Sequence, residues 1–217
     1  MKHFVIIGAG GFGREVADIA AAVTKEKAEI KLIGFIDDNP DLHGKTLNEV
    51  PVLGGLDWIN EAGNGNDVYF VCAIGDPRIK KKVVTRALEL GYVPYTLIHP
   101  SVRIGYDVTI GAGTILCPGT IITTNISIGN HVIINQICSI GHDAVIEDYV
   151  TVNPLSAISG AVHLKEGVFI GTCAAVLQGL EIGEWSVIGA SASVIKSQEA
   201  YVVAVGVPTV VKKKLDQ

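Results

Sequence analysis

The chain has 217 residues, a net charge of −5 and 48% apolar residues. That length can bury one or two hydrophobic cores without a disulfide or metal staple, and the basic run in the tail, Lys212 to Lys214, is, like Lys80 to Lys82, too short to form a polyanion-binding surface. No uninterrupted apolar run approaches the ~18 residues of a membrane span and the N-terminus lacks a basic, apolar and cleavage-site signal pattern, so a soluble, cytoplasmic protein without nucleic-acid or membrane partners is expected.

His3 to Ile7 reads as a buried strand. The turn Gly8-Ala9-Gly10-Gly11-Phe12-Gly13 follows, then an apolar helical stretch from Arg14 to about Val23. Glycines let the backbone approach an anion, and the first helical turn offers unpaired N–H groups with a favourable dipole. A second strand, Leu32 to Ile36, ends in Asp37 and Asp38, the acidic position that in such units takes ribose or sugar hydroxyls. A third, Val68 to Ala73, leads through Ile74-Gly75-Asp76-Pro77 into a helix from Arg78 to Leu90, where Gly91 is the stop signal. A fourth strand, Val93 to Ile98, feeds the second half of the chain. Four βα-type units in this space make half of a dinucleotide-binding fold, with no second half for a nicotinamide. The glycine turn is therefore expected to cradle the phosphates of one nucleotide. A helix packed on glycines without a ligand is the alternative.

The texture changes near residue 98, which divides the chain into domains 1–97 and 98–217. Every sixth residue from Ile98 to Val194 is aliphatic, seventeen positions in succession. A period of six fits neither a 3.6-residue helix nor a two-residue strand alternation. It fits a short strand and a tight corner, repeated. Three hexads make one triangular coil of eighteen residues, aliphatic side chains inward, with Gly or Asn easing the corners where positive φ is often needed. Stacked coils then bury a continuous core as a parallel β-helix. The fold class is an α/β Rossmann-like half domain followed by an all-β solenoid. Cys72, Cys117, Cys138 and Cys173 form no metal-spaced pair and read as small core residues, with Cys173 next to Thr172 set apart as a candidate for the outer surface.

His142 and Asp143 follow Gly141 on a coil corner, where a side chain is expected to face outward. An imidazole takes a proton from an incoming amine or hydroxyl, and an adjacent carboxylate fixes its tautomer. Side chains eighteen apart stack, so Thr124 lies one coil before His142 and Gly160 one coil beyond. A bare Gly160 amide could hold a developing oxyanion. On another corner Thr172 and Ala190 stack, leaving room for a thin thioester arm. The solenoid histidines, at 99, 131, 142 and 163, lack the short spacing that would converge metal ligands, so no metal is expected.

These segments, together with Ala73-Ile74-Gly75, Asn135 and the tail Val205-Gly206-Val207-Pro208, resemble the bacterial sugar O-acyltransferases of the NeuD/PglD-like family, which act on sialic acid or in the bacillosamine pathway. The likeness covers essentially the whole chain. It implies left-handed winding, against the usual rule for parallel crossovers, and acetyl-CoA lying along the solenoid between subunits of a homotrimer. It further implies His142 as the catalytic base tuned by Asp143. Gly10, Gly11, Phe12, Asp37, Asp38, Gly75 and Asn135 would then contact the nucleotide-activated sugar, and Thr151, Thr172 and Ala190 the coenzyme. Two positions depart from the pattern: Phe12 stands where the family commonly has His, and Thr151 where a second His is familiar. The expected reaction is acetyl transfer from acetyl-CoA to the amine of a UDP- or dTDP-linked 4-amino sugar. O-acetylation of sialic acid or another polysaccharide sugar is the alternative within the class, and a non-catalytic binding solenoid the alternative outside it.

Overall fold

The computed structural model describes residues 1–61 and 67–216. The first half is a twisted sheet built on β1 (Lys2–Ile7), whose last four residues are buried. Around it lie α1 (Gly11–Lys27), β2 (Ile30–Ile36), β3 (Thr46–Leu47), β4 (Val50–Gly54), the short α2 (Trp58–Glu61), β5 (Val68–Cys72), α3 (Pro77–Glu89) and β6 (Val93–Pro94). The sheet order is β3-β4-β2-β1-β5-β6, antiparallel between β3 and β4 and parallel elsewhere. This differs from four βα-type units. After β2 the chain makes a 3₁₀ turn at Pro40–Leu42 and the hairpin β3–β4, and only α1 and α3 are long crossover helices. The strand order reverses at β1, which places a crevice at the carboxyl ends of β1, β2 and β5.

From Leu97 the chain winds as a triangular prism. One face stacks Leu97–Ile98, Ile115–Leu116, Ile133–Ile134, Thr151–Val152, Phe169–Ile170 and Val187–Ile188. The second runs from Arg103–Ile104 to Ser193–Val194 and the third from Val108–Ile110 to Glu181–Ile182. Each strand pairs in parallel with the one eighteen residues on, as Ile122 with Ile140 and Ile146 with Leu164. In the inward ladder Leu116, Ile134, Val152, Ile170 and Ile188 are fully buried, while Ile104 at the open end is 40% exposed. Burying each such side chain stabilises the fold by about 1.5–3 kcal/mol before chain entropy is counted. Strand Val202–Val205 extends the first face, and Val210–Lys214 folds back on it antiparallel.

The corners take positive φ at every sixth position from Asp107 to Ser191. Gly113, Gly119, Gly167, Gly179 and Asn125 stand there as expected, but so do Ile137 (φ 57°), Tyr149 (φ 60°) and Leu155 (φ 63°), and the glycines that directly follow an aliphatic residue do not take it. A left-handed β-branched residue is costly alone, but the coil-to-coil hydrogen bonds on both sides over-determine the turn. Glycines directly after an aliphatic residue serve close stacking instead. A Cβ on Gly141 or Gly171 would lie 2.5 Å from the backbone nitrogen of Gly160 or Ala190 in the next coil.

Candidate active site

Gly8 (φ 102°) opens the glycine turn, and a Cβ on Gly13 would collide with the Gly8 carbonyl, so two of its glycines are set by backbone geometry. Around Gly10 and Gly11 there is open space. Helix α1 begins at Gly11 with no side-chain cap and no acidic residue in its first turn, which leaves its leading amides suited to an anion. Phe12 is half-buried and packs on the apolar cluster shared by α1 and the sheet.

A cleft of about 230 Å³ opens beside this turn, lined by Gly8, Asp37, Asp38, Leu56, Ile74 and Val83. Gly75 follows Ile74 at its rim with free space above its Cα. Asp37 accepts the Ala9 amide at 2.8 Å on Oδ2 and the Asn39 amide at 3.0 Å on Oδ1, and Asp38 accepts the Leu56 amide at 3.1 Å. Both carboxylates therefore hold the cleft's loops while lining it. Asn135 lies apart from this cleft. It is buried on the solenoid beside Cys117, one residue before Gln136, whose amide donates to Glu15 of α1 at 2.6 Å.

His142 stands on the corner between the second and third faces. Its side chain is 65% exposed, and Nδ1 sits 2.7 Å from Asp143 Oδ2. A carboxylate at that nitrogen makes Nδ1 the protonated one and leaves the Nε2 lone pair free to accept a proton. Asp143 is held below the usual carboxylate range by that bond first and by Asn125 second. Gly160 lies beneath the imidazole: a Cβ there would be 2.5 Å from both Cε1 and Nε2. The Gly160 carbonyl accepts from Gly179 and the His142 carbonyl from Ala161, so both residues are locked into the coil ladder.

Thr172 and Ala190 are exposed on the corner between the first and second faces, one above the other, with the Ser191 amide bonded to the Thr172 carbonyl. Ile137 and Leu155 occupy the same edge at 63% and 53% exposure, an apolar ridge continuous with these two residues. Cys173 is exposed beside Thr172, whereas the other three cysteines are buried.

Thr151 is a correction. It is fully buried on the first face, and its hydroxyl accepts from Lys80 Nζ at 2.9 Å, so no coenzyme reaches it. The reason is tertiary: α3 packs across this face. Lys80 is buried with Pro77, Val84 and Ala87 along one side of α3, and its Nζ also donates to the Val150 carbonyl at 3.2 Å. That helical spacing was the available signal for a lysine on an apolar stripe. Nearby, His131 stacks between Phe70 and Tyr149 with its Nδ1 buried and without a partner among the described residues. Lys81 pairs with Glu166 at 2.6 Å at the edge of the same contact.

This junction carries a pH signature. Burial lowers Lys80 from 10.5 to about 7, and burial, with the Lys80 charge, lowers His131 from 6.5 to about 4. For both groups the unfolded chain holds the extra proton between the two values, so stability rises with pH in each window. Buried Cys72 and Cys138, raised from 9.0 to about 12 and 11, act with the opposite sign above pH 9. The urea midpoint is thus expected to rise from pH 7 to 9 and to fall as pH drops from 6.5 to 4. Lys80→Met should flatten the upper rise and, since burial is the larger cause of the His131 shift, keep most of the lower one. Equal upper slopes in both proteins would refute the role of Lys80.

Among the described residues, no three His, Cys, Asp or Glu side chains gather into a group that could hold a metal ion, and no helix is long and apolar enough to cross a membrane.

A family model described as the PglD N-terminal domain matches residues 3–87. The chain is 33% identical over 146 residues to GDP-perosamine N-acetyltransferase of Escherichia coli O157:H7, a match that covers 66% of this chain and 63% of that relative, less than two thirds of its length. The solved structure of WeeI from Acinetobacter baumannii AYE superposes with a TM-score of 0.87 at 31% identity, covering 98% of this chain and 100% of that one. A histidine-to-asparagine mutant of perosamine N-acetyltransferase from Caulobacter crescentus, solved with CoA and GDP-perosamine, gives a TM-score of 0.87 at 29% identity, covering 99% and 98%. The solenoid shares the left-handed winding of these hexapeptide-repeat β-helix neighbours.

Proposed function

Since the chain belongs to the NeuD/PglD-like family of sugar acetyltransferases, we infer that it transfers an acetyl group from acetyl-CoA to the amine of a nucleotide-linked 4-amino sugar. The observation that carries this reading is the His142 imidazole, anchored through Nδ1 on Asp143 and seated on Gly160 with Nε2 free. In a ternary complex the sugar nitrogen attacks the thioester carbon while Nε2 takes its proton. The tetrahedral intermediate carries one oxyanion, to which the Gly160 amide donates. Collapse breaks the C–S bond, and the imidazolium returns the proton to the coenzyme thiolate. No covalent enzyme intermediate is needed.

In this reading Gly10, Gly11, Phe12, Asp37, Asp38 and Gly75 hold the nucleotide-sugar, and Asn135, buried on the solenoid, does not touch it. Thr172 and Ala190 line the coenzyme arm. The nucleotide cleft lies in the half that packs on the first face, and the coenzyme ridge lies along an edge of that face, whereas His142 is on the opposite corner. One chain therefore separates base from substrates. A homotrimer, in which the His142 corner of one subunit meets the ridge of the next, closes the site and covers exposed Ile137 and Leu155.

The test is thiol release from acetyl-CoA with a panel of UDP-, dTDP-, GDP- and CMP-linked sugars. Release with a nucleotide-linked 4-amino sugar, and none with its hydroxyl counterpart, is expected. Turnover of a sialic acid or a hydroxyl sugar alone would replace the amine by an O-acetyl acceptor, and no release with any sugar would overturn the transferase reading.

A further inference from the structure

The corner column that holds Asp143 reads Asp107, Asn125, Asp143 and Ala161 at intervals of eighteen residues, all at positive φ. Asn125 (φ 55°) and Asp143 (φ 59°) leave the backbone in the same direction from adjacent coils. Asn125 Nδ2 donates to Asp143 Oδ1 at 3.3 Å, while Asp143 Oδ2 receives His142 Nδ1 at 2.7 Å. The Thr124 hydroxyl donates to the Tyr106 carbonyl at 2.9 Å and packs against the Asn125 amide, with Oδ1 3.3 Å away. Each carboxylate oxygen thus has its own donor, and rotation of the carboxylate breaks one of the two bonds.

That restraint matters because His142 and Asp143 are both largely exposed, at 65% and 55% of their side chains. An exposed pair without a third partner samples several rotamers, and a general base is effective only when its lone pair stays within hydrogen-bond reach of the proton it takes. Asn is also suited to this place by charge. It stands between Asp107 and Asp143, so a carboxylate here would stack three acids in one column.

Resting on the transferase reading above, we propose that Asn125 is a positioning residue for the acetyl transfer: its amide holds the Asp143 carboxylate so that His142 keeps Nδ1 protonated and presents Nε2 to the acceptor. It touches neither substrate and acts only through Asp143.

Asn125→Ala is expected to lower kcat by about 10–100-fold, the usual cost of losing an orienting outer partner, with both KM values and the thermal midpoint nearly unchanged. In the Asp143→Ala background the same change should cost nothing further, because the partner it acts through is gone. Asn125→Asp should raise the acid limb of the kcat–pH profile, since added negative charge favours the imidazolium. Wild-type kcat in Asn125→Ala, or an equal loss in the Asp143→Ala background, would overturn the assignment. If Asn125→Ala keeps the wild-type kcat while His142→Ala loses it, Asn125 alone is wrong. No turnover by the wild-type protein overturns the transferase reading and this assignment with it.

Discussion

Replacing His142 by Ala is expected to lower kcat roughly 10²–10⁴-fold, the range for loss of a general base, with coenzyme affinity held within a factor of a few. The side chain projects from a coil corner and packs into no apolar cluster, so its removal leaves the ladder of inward aliphatic residues intact. Loss of kcat without loss of acetyl-CoA binding, measured by calorimetry beside steady-state kinetics, is what a proton acceptor predicts. Asp143→Asn should be milder and of a different kind, because an amide that turns its own N–H toward Nδ1 favours the wrong tautomer. Unchanged turnover in His142→Ala would reject the base, and a parallel loss of coenzyme binding would recast His142 as a binding residue.

Gly160→Ala is the second large effect. Thr124 and Gln178 occupy the same corner column one coil before His142 and one coil after Gly160, so the column as such accepts a Cβ. Gly160 also lacks positive φ, and its backbone suits alanine. What excludes the methyl is the imidazole, whose Cε1 and Nε2 would lie 2.5 Å from it. The ring must swing away and give up its 2.7 Å bond to Asp143. A displacement of about 1 Å at a catalytic group costs on the order of 10²-fold, and that loss in kcat is expected with an unchanged thermal midpoint. A variant that melts far below the wild type would instead assign Gly160 to coil packing, and full activity would show that the ring does not rest there.

The period of six was legible because burial repeats with it: an inward aliphatic residue every sixth position admits one register, and a slip would expose the whole ladder. The same eighteen-residue repeat by itself stacks His142 over Gly160 and Thr172 under Ala190. Local pattern served less well where the reason for a residue lay in the neighbouring coil. Glycines such as Gly141 and Gly171, directly after an aliphatic residue, read as turn formers, yet backbone contact with the next coil requires them, and Ile137 and Leu155 take the left-handed position. The hairpin Thr46–Gly54 was missed because its strands are short and carry little alternation.

The sequence by itself determined the solenoid, its register, the glycine turn of the first half and the stacking of His142 on Gly160 beside Asp143, because these depend on local geometry and on contacts at a fixed spacing. Only the tertiary structure decided which face the first half covers. That docking buries Thr151 under Lys80, strips water from His131, and sets the cleft lined by Asp37 and Asp38 on the far side of the prism from His142. Such contacts join residues about seventy positions apart through no repeat, and nothing in the local pattern of either segment encodes the partner that will desolvate it.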